Sequence, residues 1–114
     1  MSIGMNYHAH VYWKNDEEKT LAVSLRDHLK SLGCPLGRVI DVPIGPHPLP
    51  MFQVMYDSRN QKEVEDYLKK TNLSILLHED IGEDHVRDHT KGARWIGKPL
   101  DLNLEFLRQF QELS

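Results

Sequence analysis

The order of apolar segments along the chain constrains its fold more than any other feature. Runs rich in β-branched and aromatic residues predict four strands, and leucines at spacings of three and four predict helices between them. The resulting order, strand–helix–strand–strand–helix–strand, is that of the ferredoxin-like α+β sandwich. We expect strands at residues 7–13, 38–44, 51–56 and 73–78, and helices at residues 15–32, 58–68 and 103–113.

The length of the chain leaves room for one hydrophobic core. A second core in 114 residues would leave two halves too small to fold well, so we expect a single domain over residues 1–114. Residues 79–114 are predicted to form a long polar loop followed by the terminal helix. A loop of this length in a compact domain is usually functional.

Charge and cysteine content exclude several classes of function. The formal net charge is −3 and no lysine- or arginine-rich run appears, which argues against a nucleic-acid partner. The single cysteine, Cys34, cannot form an internal disulfide. The first residues do not resemble a signal peptide, and no apolar run approaches the length of a membrane span. We therefore expect a cytoplasmic protein that acts neither on nucleic acid nor on a membrane.

Seven histidines are present, and four of them fall in segments that the predicted fold brings together. His8 and His10 lie in the first strand, His47 lies in a proline-rich loop after the second strand, and His78 ends the fourth strand. In the ferredoxin-like strand order 4-1-3-2, the fourth strand ends where the first begins. We expect the loop between the second and third strands at that same edge, so the sequence predicts a histidine cluster there.

Strand periodicity also predicts the face on which these histidines lie. His8, His10 and Tyr12 share one face of the first strand because side chains alternate with period two. Ala9 and Val11 share the other face, which suits packing against helices. The histidines are thus expected on the sheet face away from the helices, and a second subunit or the C-terminal segment must cover that face.

A cluster of neutral imidazoles suits zinc, copper, nickel or iron equally well. An open site of two histidines and a carboxylate is typical of non-haem Fe(II), and Glu79, Asp80 or Asp84 would be the carboxylate unless the site is all histidine. In isolation, a His-x-His pair on a strand is as often structural as functional, His47 between two prolines suits a rigid turn, and a histidine at a strand end such as His78 is more often structural than a ligand. We interpret His28, within a helix stripe, as structural, and His85 and His89, four residues apart, suit a solvated face as well as a metal.

Several motifs, taken together, resemble the DOPA 4,5-dioxygenase family over nearly the whole chain. They are YHAHVYW at residues 7–13, GPHP at 45–48, LLH at 76–78, DHVRDHTKGARW at 84–95 and IGKPL at 96–100. The resemblance implies a small, commonly dimeric ferredoxin-like domain. It also implies extradiol cleavage of a catechol such as L-DOPA by non-haem Fe(II) and dioxygen, although zinc or another divalent metal can replace iron in purified protein.

The resemblance also ranks the candidate residues. His10, His47 and His78 look like the metal-associated histidines of the family, whereas His8 and His89 match further histidines of its motifs. Family members often have proline after the fourth-strand histidine, whereas this chain has Glu79 and Asp80, a departure that changes the loop beside the expected metal.

The remaining roles follow from side-chain chemistry. A histidine near the substrate exchanges a phenolic proton at neutral pH, and His8 and His89 are the candidates. Arg87 or Arg94 would pair with a substrate carboxylate, and Tyr12 or Trp95 would stack on the ring. The alternative hypothesis is a non-catalytic metal- or small-molecule-binding protein on the same dimeric scaffold.

Overall fold

The computed structural model describes residues 6–43, 47–79, 93–100, 102 and 105. They form one antiparallel sheet and two helices, in the strand order β2-β3-β1-β4-β5. The predicted order 4-1-3-2 is confirmed for the first four strands. The elements are β1 (Asn6–Tyr12), α1 (Asp16–Ser31), β2 (Leu36–Ile40), β3 (Met51–Asp57), α2 (Gln61–Leu68), β4 (Ile75–Glu79) and β5 (Ala93–Ile96).

The fifth strand is the main departure from the sequence prediction. We expected residues 79–101 to be a loop, but Ala93–Ile96 pairs antiparallel with β4 and forms an edge of the sheet. This strand has only four residues and includes a charged side chain, so it lacks the apolar run that identified the other strands. The predicted terminal helix at residues 103–113 lies outside the described residues, apart from Glu105.

The second predicted strand was misplaced by several residues. It spans Leu36–Ile40 rather than residues 38–44, and its pairing with β3 shifts register between Leu36 and Val39. Pro43 falls after the strand, which agrees with the inability of proline to donate a ladder hydrogen bond.

Local signals fix both ends of α1. The Asn15 side chain accepts a hydrogen bond from the backbone N–H of Glu18 at 2.8 Å, and acidic residues fill the first turn. At the other end Gly33 adopts a φ of 84°. The N–H of Cys34 then reaches the carbonyl of Leu29, the bond expected of a glycine-terminated helix.

The second helix begins later than its predicted capping box implied. We expected the helix to open at Ser58, whereas α2 starts at Gln61 with Asn60 at the N-cap position. The Asn60 side chain instead accepts a hydrogen bond from the backbone N–H of Asp57 at 3.0 Å, so it stabilises the turn between β3 and α2.

The two sheet faces bury different sets of residues, as the strand periodicity predicted. Ala9, Val11 and Leu77 pack with the apolar residues of both helices. On the opposite face, which we call the open face, Tyr12, Met51 and Leu76 form a smaller cluster. Partly buried residues that pack against this cluster are Ile40, Leu49, Ala93, Trp95, Leu100 and Leu102.

The open face is therefore covered in part by the chain's own C-terminal segment, through Leu100 and Leu102. That a second subunit also covers the open face remains a prediction. No helix among the described residues combines the length and apolar character needed to cross a lipid bilayer.

Candidate functional site

The first and fourth strands bring three histidines together on the open face. His8 is paired directly with His78, and His10 is paired with Leu76 one step further along the same two strands. Side chains of directly paired residues project to the same face, so the three imidazoles are neighbours. His10 and His78 are each only 4% exposed, whereas His8 is half-buried.

His10 and His78 make the closest contact of this group. Their Nε2 atoms lie 2.9 Å apart, and their rings are nearly parallel, with an interplanar angle of 16°. Both rings thus direct a potential metal-binding nitrogen at the same point.

The carbonyl oxygen of Glu79 determines the protonation pattern of His78. It lies 2.9 Å from His78 Nδ1, and a carbonyl can only accept a hydrogen bond, so Nδ1 carries the proton. In a neutral ring Nε2 then presents a lone pair toward His10. A backbone carbonyl that fixes the tautomer in this way is the usual arrangement for a metal-binding histidine.

His47 reaches the same group from the opposite end of β1. Its ring centroid lies 4.3 Å from that of His10, its Nδ1 lies 2.7 Å from the Tyr12 hydroxyl oxygen, and the residue is 8% exposed. These contacts bring His47 over the open face.

His47 does lie beside the strand histidines, but the predicted reason for this proximity was wrong. Because Met51 at the start of β3 pairs with Tyr12 at the end of β1, the loop between β2 and β3 lies at the end of β1. The end of β4 lies at the other end of β1, where Glu79 pairs with Tyr7. The histidines therefore form a row along the open face rather than a cluster at one edge.

His8 occupies the outer end of this row. Its ring lies 5.2 Å from that of His78 and meets it nearly edge-on, at 66°. A half-buried imidazole beside the buried pair is accessible to solvent and to a ligand at once.

The donor set of this site fits part of a metal coordination sphere. Two nitrogens that bind one metal ion at about 2.1 Å lie about 3.4 Å apart at the tetrahedral angle usual for zinc, and about 3 Å apart if their bonds meet at a right angle. The 2.9 Å separation of His10 Nε2 and His78 Nε2 is that of a hydrogen bond between the two rings, and it is also short enough for both nitrogens to reach one metal ion once that hydrogen bond is given up. Within residues 6–43, 47–79 and 93–100, however, no group of three or more His, Cys, Asp or Glu side chains has the geometry of a complete metal site.

Other predicted site residues lie outside the part of the chain that the structure describes. These are the carboxylate candidates Asp80 and Asp84, the proton-transfer candidate His89 and the substrate-binding candidate Arg87. Glu79 is described, but it shares the helix-facing side with its partner Tyr7. Its position therefore does not support it as a carboxylate ligand.

Arg94 does not face the histidines, contrary to its predicted role with a substrate carboxylate. It pairs with Leu77 across β4 and β5 and so projects toward the helices. Its Nη2 lies 2.8 Å from Oε2 of Glu65, and the same oxygen accepts hydrogen bonds from Tyr56 at 2.7 Å and Gln61 at 3.2 Å. Arg94 therefore ties β5 to α2.

The Glu65 carboxylate is ionised in this network. Burial acts to raise its pKa, but the hydrogen bonds from Arg94 and Tyr56 outweigh burial, and the net pKa lies below the usual value of a glutamate.

Tyr12 is also placed differently from its predicted role in stacking on a substrate ring. The residue is fully buried, its hydroxyl contacts His47, and its ring stacks on Trp95 with centroids 6.0 Å apart. Burial raises the pKa of Tyr12 well above the usual range of a phenol, so the hydroxyl stays neutral. Tyr12 is thus covered by Trp95, whereas Trp95 itself is half-buried on the open face and borders the site.

Two features of the site were missed by sequence reasoning. Neither the hydroxyl contact of Tyr12 with His47 nor the carbonyl contact of Glu79 with His78 has a sequence signature. The position of Tyr12 two residues after His10 placed it on the correct face, but nothing indicated its partner.

Comparisons with known proteins agree with these observations. The Dopa 4,5-dioxygenase family model matches residues 7–106. A protein named DOPA 4,5-dioxygenase from Amanita muscaria is 34% identical over 109 residues, which cover 86% of this chain and 47% of that protein. An uncharacterized 21.2 kDa protein of Botryotinia fuckeliana is 30% identical, over 92% of this chain and 63% of its own length.

The fold has a close counterpart among solved structures. A crystal structure at 1.46 Å resolution, of a protein from Nostoc punctiforme described as "a putative dioxygenase", superimposes with a TM-score of 0.86 at 38% identity. The match covers 93% of both chains. By contrast, the chain spans about half to under two thirds of the two curated relatives.

Proposed function

Because the chain belongs to the Dopa 4,5-dioxygenase family, we propose that it is a non-haem Fe(II) dioxygenase that opens the ring of a catechol by extradiol cleavage. The observation that best supports this proposal is the buried pair of His10 and His78, whose Nε2 atoms converge to 2.9 Å on the open face. An oxidoreductase of this kind uses a small aromatic substrate and dioxygen.

His10, His47 and His78 would hold the iron through imidazole nitrogens. Bound Fe(II) supplies Lewis acidity toward the two catechol oxygens and a binding position for dioxygen. The Glu79 carbonyl keeps the Nε2 lone pair of His78 directed into the site, which reduces the cost of orienting that ligand.

His8 is the described residue best suited to exchange a proton with the substrate. It is half-buried next to His78, and an imidazole changes its charge near neutral pH. A catechol must lose a hydroxyl proton when it binds, so His8 would take that proton and later return it. His89 remains the second candidate for this role.

Trp95 would form the aromatic wall of the substrate site. It lies on the open face opposite Leu76, where one side of its indole packs on Tyr12. An aromatic substrate stacking on such a ring gains about 0.5–1.5 kcal/mol beyond area burial. Arg87 would pair with a substrate carboxylate, since Arg94 is held by Glu65 on the other face.

Anaerobic reconstitution tests the proposal. Protein purified without a histidine tag is loaded with Fe(II), mixed with catechol or L-DOPA, and then exposed to oxygen. We expect a yellow semialdehyde that absorbs visible light, together with the consumption of one dioxygen per ring. Chelator-treated protein is the control. Full iron occupancy with no product from any of several catechols would contradict the proposal.

The second candidate function is non-catalytic metal or small-molecule binding on the same, predicted dimeric, scaffold. It is favoured by the lack of a complete three-ligand group within the described residues. Under this alternative iron or zinc binds, but no catechol is turned over, and the same experiment separates the two.

A further inference from the structure

Tyr12 makes a contact that its predicted role in substrate stacking does not explain. It is the last residue of β1, and its hydroxyl oxygen lies 2.7 Å from Nδ1 of His47. We propose that Tyr12 is a positioning residue that holds His47 against His10, with Nε2 of His47 directed to the metal. This inference rests on the proposed function, in which His47 is a metal ligand.

The fold fixes the Tyr12 ring before any ligand binds. The Tyr12 backbone N–H donates to the carbonyl of Ser74 at 3.0 Å, and Met51 pairs with it on the other side. Trp95 then stacks over its ring at an angle of 27°. With 0% exposure, Tyr12 is a rigid anchor.

His47 needs such an anchor because of where it lies. It lies in a loop with prolines on both sides, and its backbone makes a single β-bridge rather than the ladder of a strand, so pairing constrains its side chain less than that of a strand residue. Its contacts with Tyr12 and His10 bring its ring over the open face, at centroid distances of 5.7 Å and 4.3 Å. With Nδ1 engaged by the hydroxyl, Nε2 is the ring nitrogen that can coordinate a metal.

The Tyr12 hydroxyl constrains His47 differently from the way in which the Glu79 carbonyl constrains His78. A carbonyl accepts only, so it fixes both the orientation and the tautomer of His78. A neutral phenol both donates and accepts, so Tyr12 fixes the orientation of His47 while it tolerates either tautomer. When a metal binds Nε2, the Nδ1–H of His47 donates to the Tyr12 oxygen.

The test compares Tyr12→Phe with Tyr7→Phe. Tyr7 belongs to the same strand but stacks on Tyr56 at the helix-facing side, so its variant controls for loss of a tyrosine hydroxyl. The Zn²⁺ affinity of metal-free protein is measured by competition with a chelator. We expect Tyr12→Phe to weaken the affinity about 10- to 100-fold, as for other partners of metal-binding histidines. Tyr7→Phe leaves the affinity unchanged.

A double-mutant cycle separates positioning from a general structural effect. In the His47→Ala background, Tyr12→Phe should cause no further loss of Zn²⁺ affinity, because the residue it positions is gone. The inference is overturned if Tyr12→Phe binds Zn²⁺ as tightly as the parent, if it weakens binding equally in both backgrounds, or if His47→Ala alone has no effect.

A second readout does not depend on metal binding. The ¹⁵N resonances of the His47 ring in metal-free protein should shift in Tyr12→Phe and not in Tyr7→Phe. If the parent binds no metal, the proposed function fails, and the metal-positioning inference fails with it. The ring resonances then still report whether Tyr12 orients His47. Unchanged His47 resonances in Tyr12→Phe overturn the contact on which the inference depends.

Discussion

His10 on β1 and His78 on β4 direct their Nε2 atoms at each other across 2.9 Å, on the sheet face away from the helices. Antiparallel pairing places these residues on adjacent rows of the same face, and the Glu79 carbonyl leaves the His78 lone pair pointing inward. In the proposed metal site, the two strands would supply two ligands, and the third histidine would come from the loop before β3.

The first prediction concerns this pair. His10→Ala or His78→Ala removes one of the two proposed strand ligands. The affinity for Fe(II) or Zn²⁺ should therefore fall by more than the roughly 10- to 100-fold loss that is typical when a hydrogen-bond partner of a metal-binding histidine is removed. Elemental analysis after dialysis against metal measures the result.

His28→Ala is the matched control for that experiment. The His28 ring stacks on Tyr67 with centroids 3.7 Å apart, between the two helices, so its loss should leave metal content unchanged. Equal metal content in all three variants would contradict the assignment of the site.

The second prediction concerns Arg94 and Glu65. Because this ion pair lies on the helix-facing side and the Arg94 side chain is 53% exposed, Arg94→Ala should lower stability by only about 0.5–1.5 kcal/mol and leave the KM for a carboxylate-bearing catechol unchanged. Arg87→Ala should raise that KM. Catechol, which has no carboxylate, is the reference substrate. If the KM for L-DOPA rose in Arg94→Ala and not in Arg87→Ala, Arg94 rather than Arg87 would be the residue that binds the substrate carboxylate.

The same pair predicts a third result, in the acid range. The folded-state pKa of Glu65 lies below the ordinary glutamate value of about 4.3, so its contribution to folding is complete above that pH. The contribution is lost as pH falls through the lowered pKa. Glu65→Gln should therefore flatten the acid dependence of the free energy of unfolding. Denaturant titrations from about pH 3 to about pH 7, the range in which carboxylates titrate, measure the free energy of unfolding at each pH. An unchanged slope would contradict it.

Much of the fold follows from the sequence because strand periodicity encodes the facing of each residue. Alternation in residues 7–13 separated His8, His10 and Tyr12 from Ala9 and Val11, and the described packing agrees with that separation. Element order then restricted the sheet to few arrangements.

The errors have a different physical origin. The path of the loop that carries His47 depends on tertiary contacts with Tyr12 and His10, for which no periodic pattern exists. Once the four-residue β5 was missed, nothing distinguished the face of Arg94 from that of Trp95. Both had appeared equally able to contact a substrate, whereas alternation along β5 places them on opposite sides.

The fourth prediction concerns the end of β5. Gly97 has a φ of 73°, and a Cβ added there would lie 2.5 Å from the carbonyl oxygen of Leu73. Gly97→Ala combines the cost of a left-handed backbone with a clash against main chain, so we expect a loss of about 2–4 kcal/mol in the free energy of unfolding.

Gly33→Ala separates these two contributions. Gly33 has a similar φ of 84°, but no atom lies within 4 Å of an added Cβ, so only the backbone cost of about 1–2 kcal/mol should appear. Denaturant unfolding measures both variants. If they lose equal stability, close packing of Gly97 against Leu73 is not what fixes the position of β5.

The fifth prediction concerns Trp95, which both covers Tyr12 and borders the histidine row. Trp95→Leu keeps an apolar side chain on the open face but removes the aromatic ring. If the indole stacks on the substrate, the KM for a catechol should rise about 2- to 10-fold, which corresponds to a stacking energy of about 0.5–1.5 kcal/mol. Trp95→Phe, which retains a ring, should recover most of that loss. Zn²⁺ affinity is measured alongside, because Tyr12 keeps its contact with His47 in Trp95→Phe. A KM that rises equally in the Leu and Phe variants would show that bulk rather than aromatic character at residue 95 matters for the substrate.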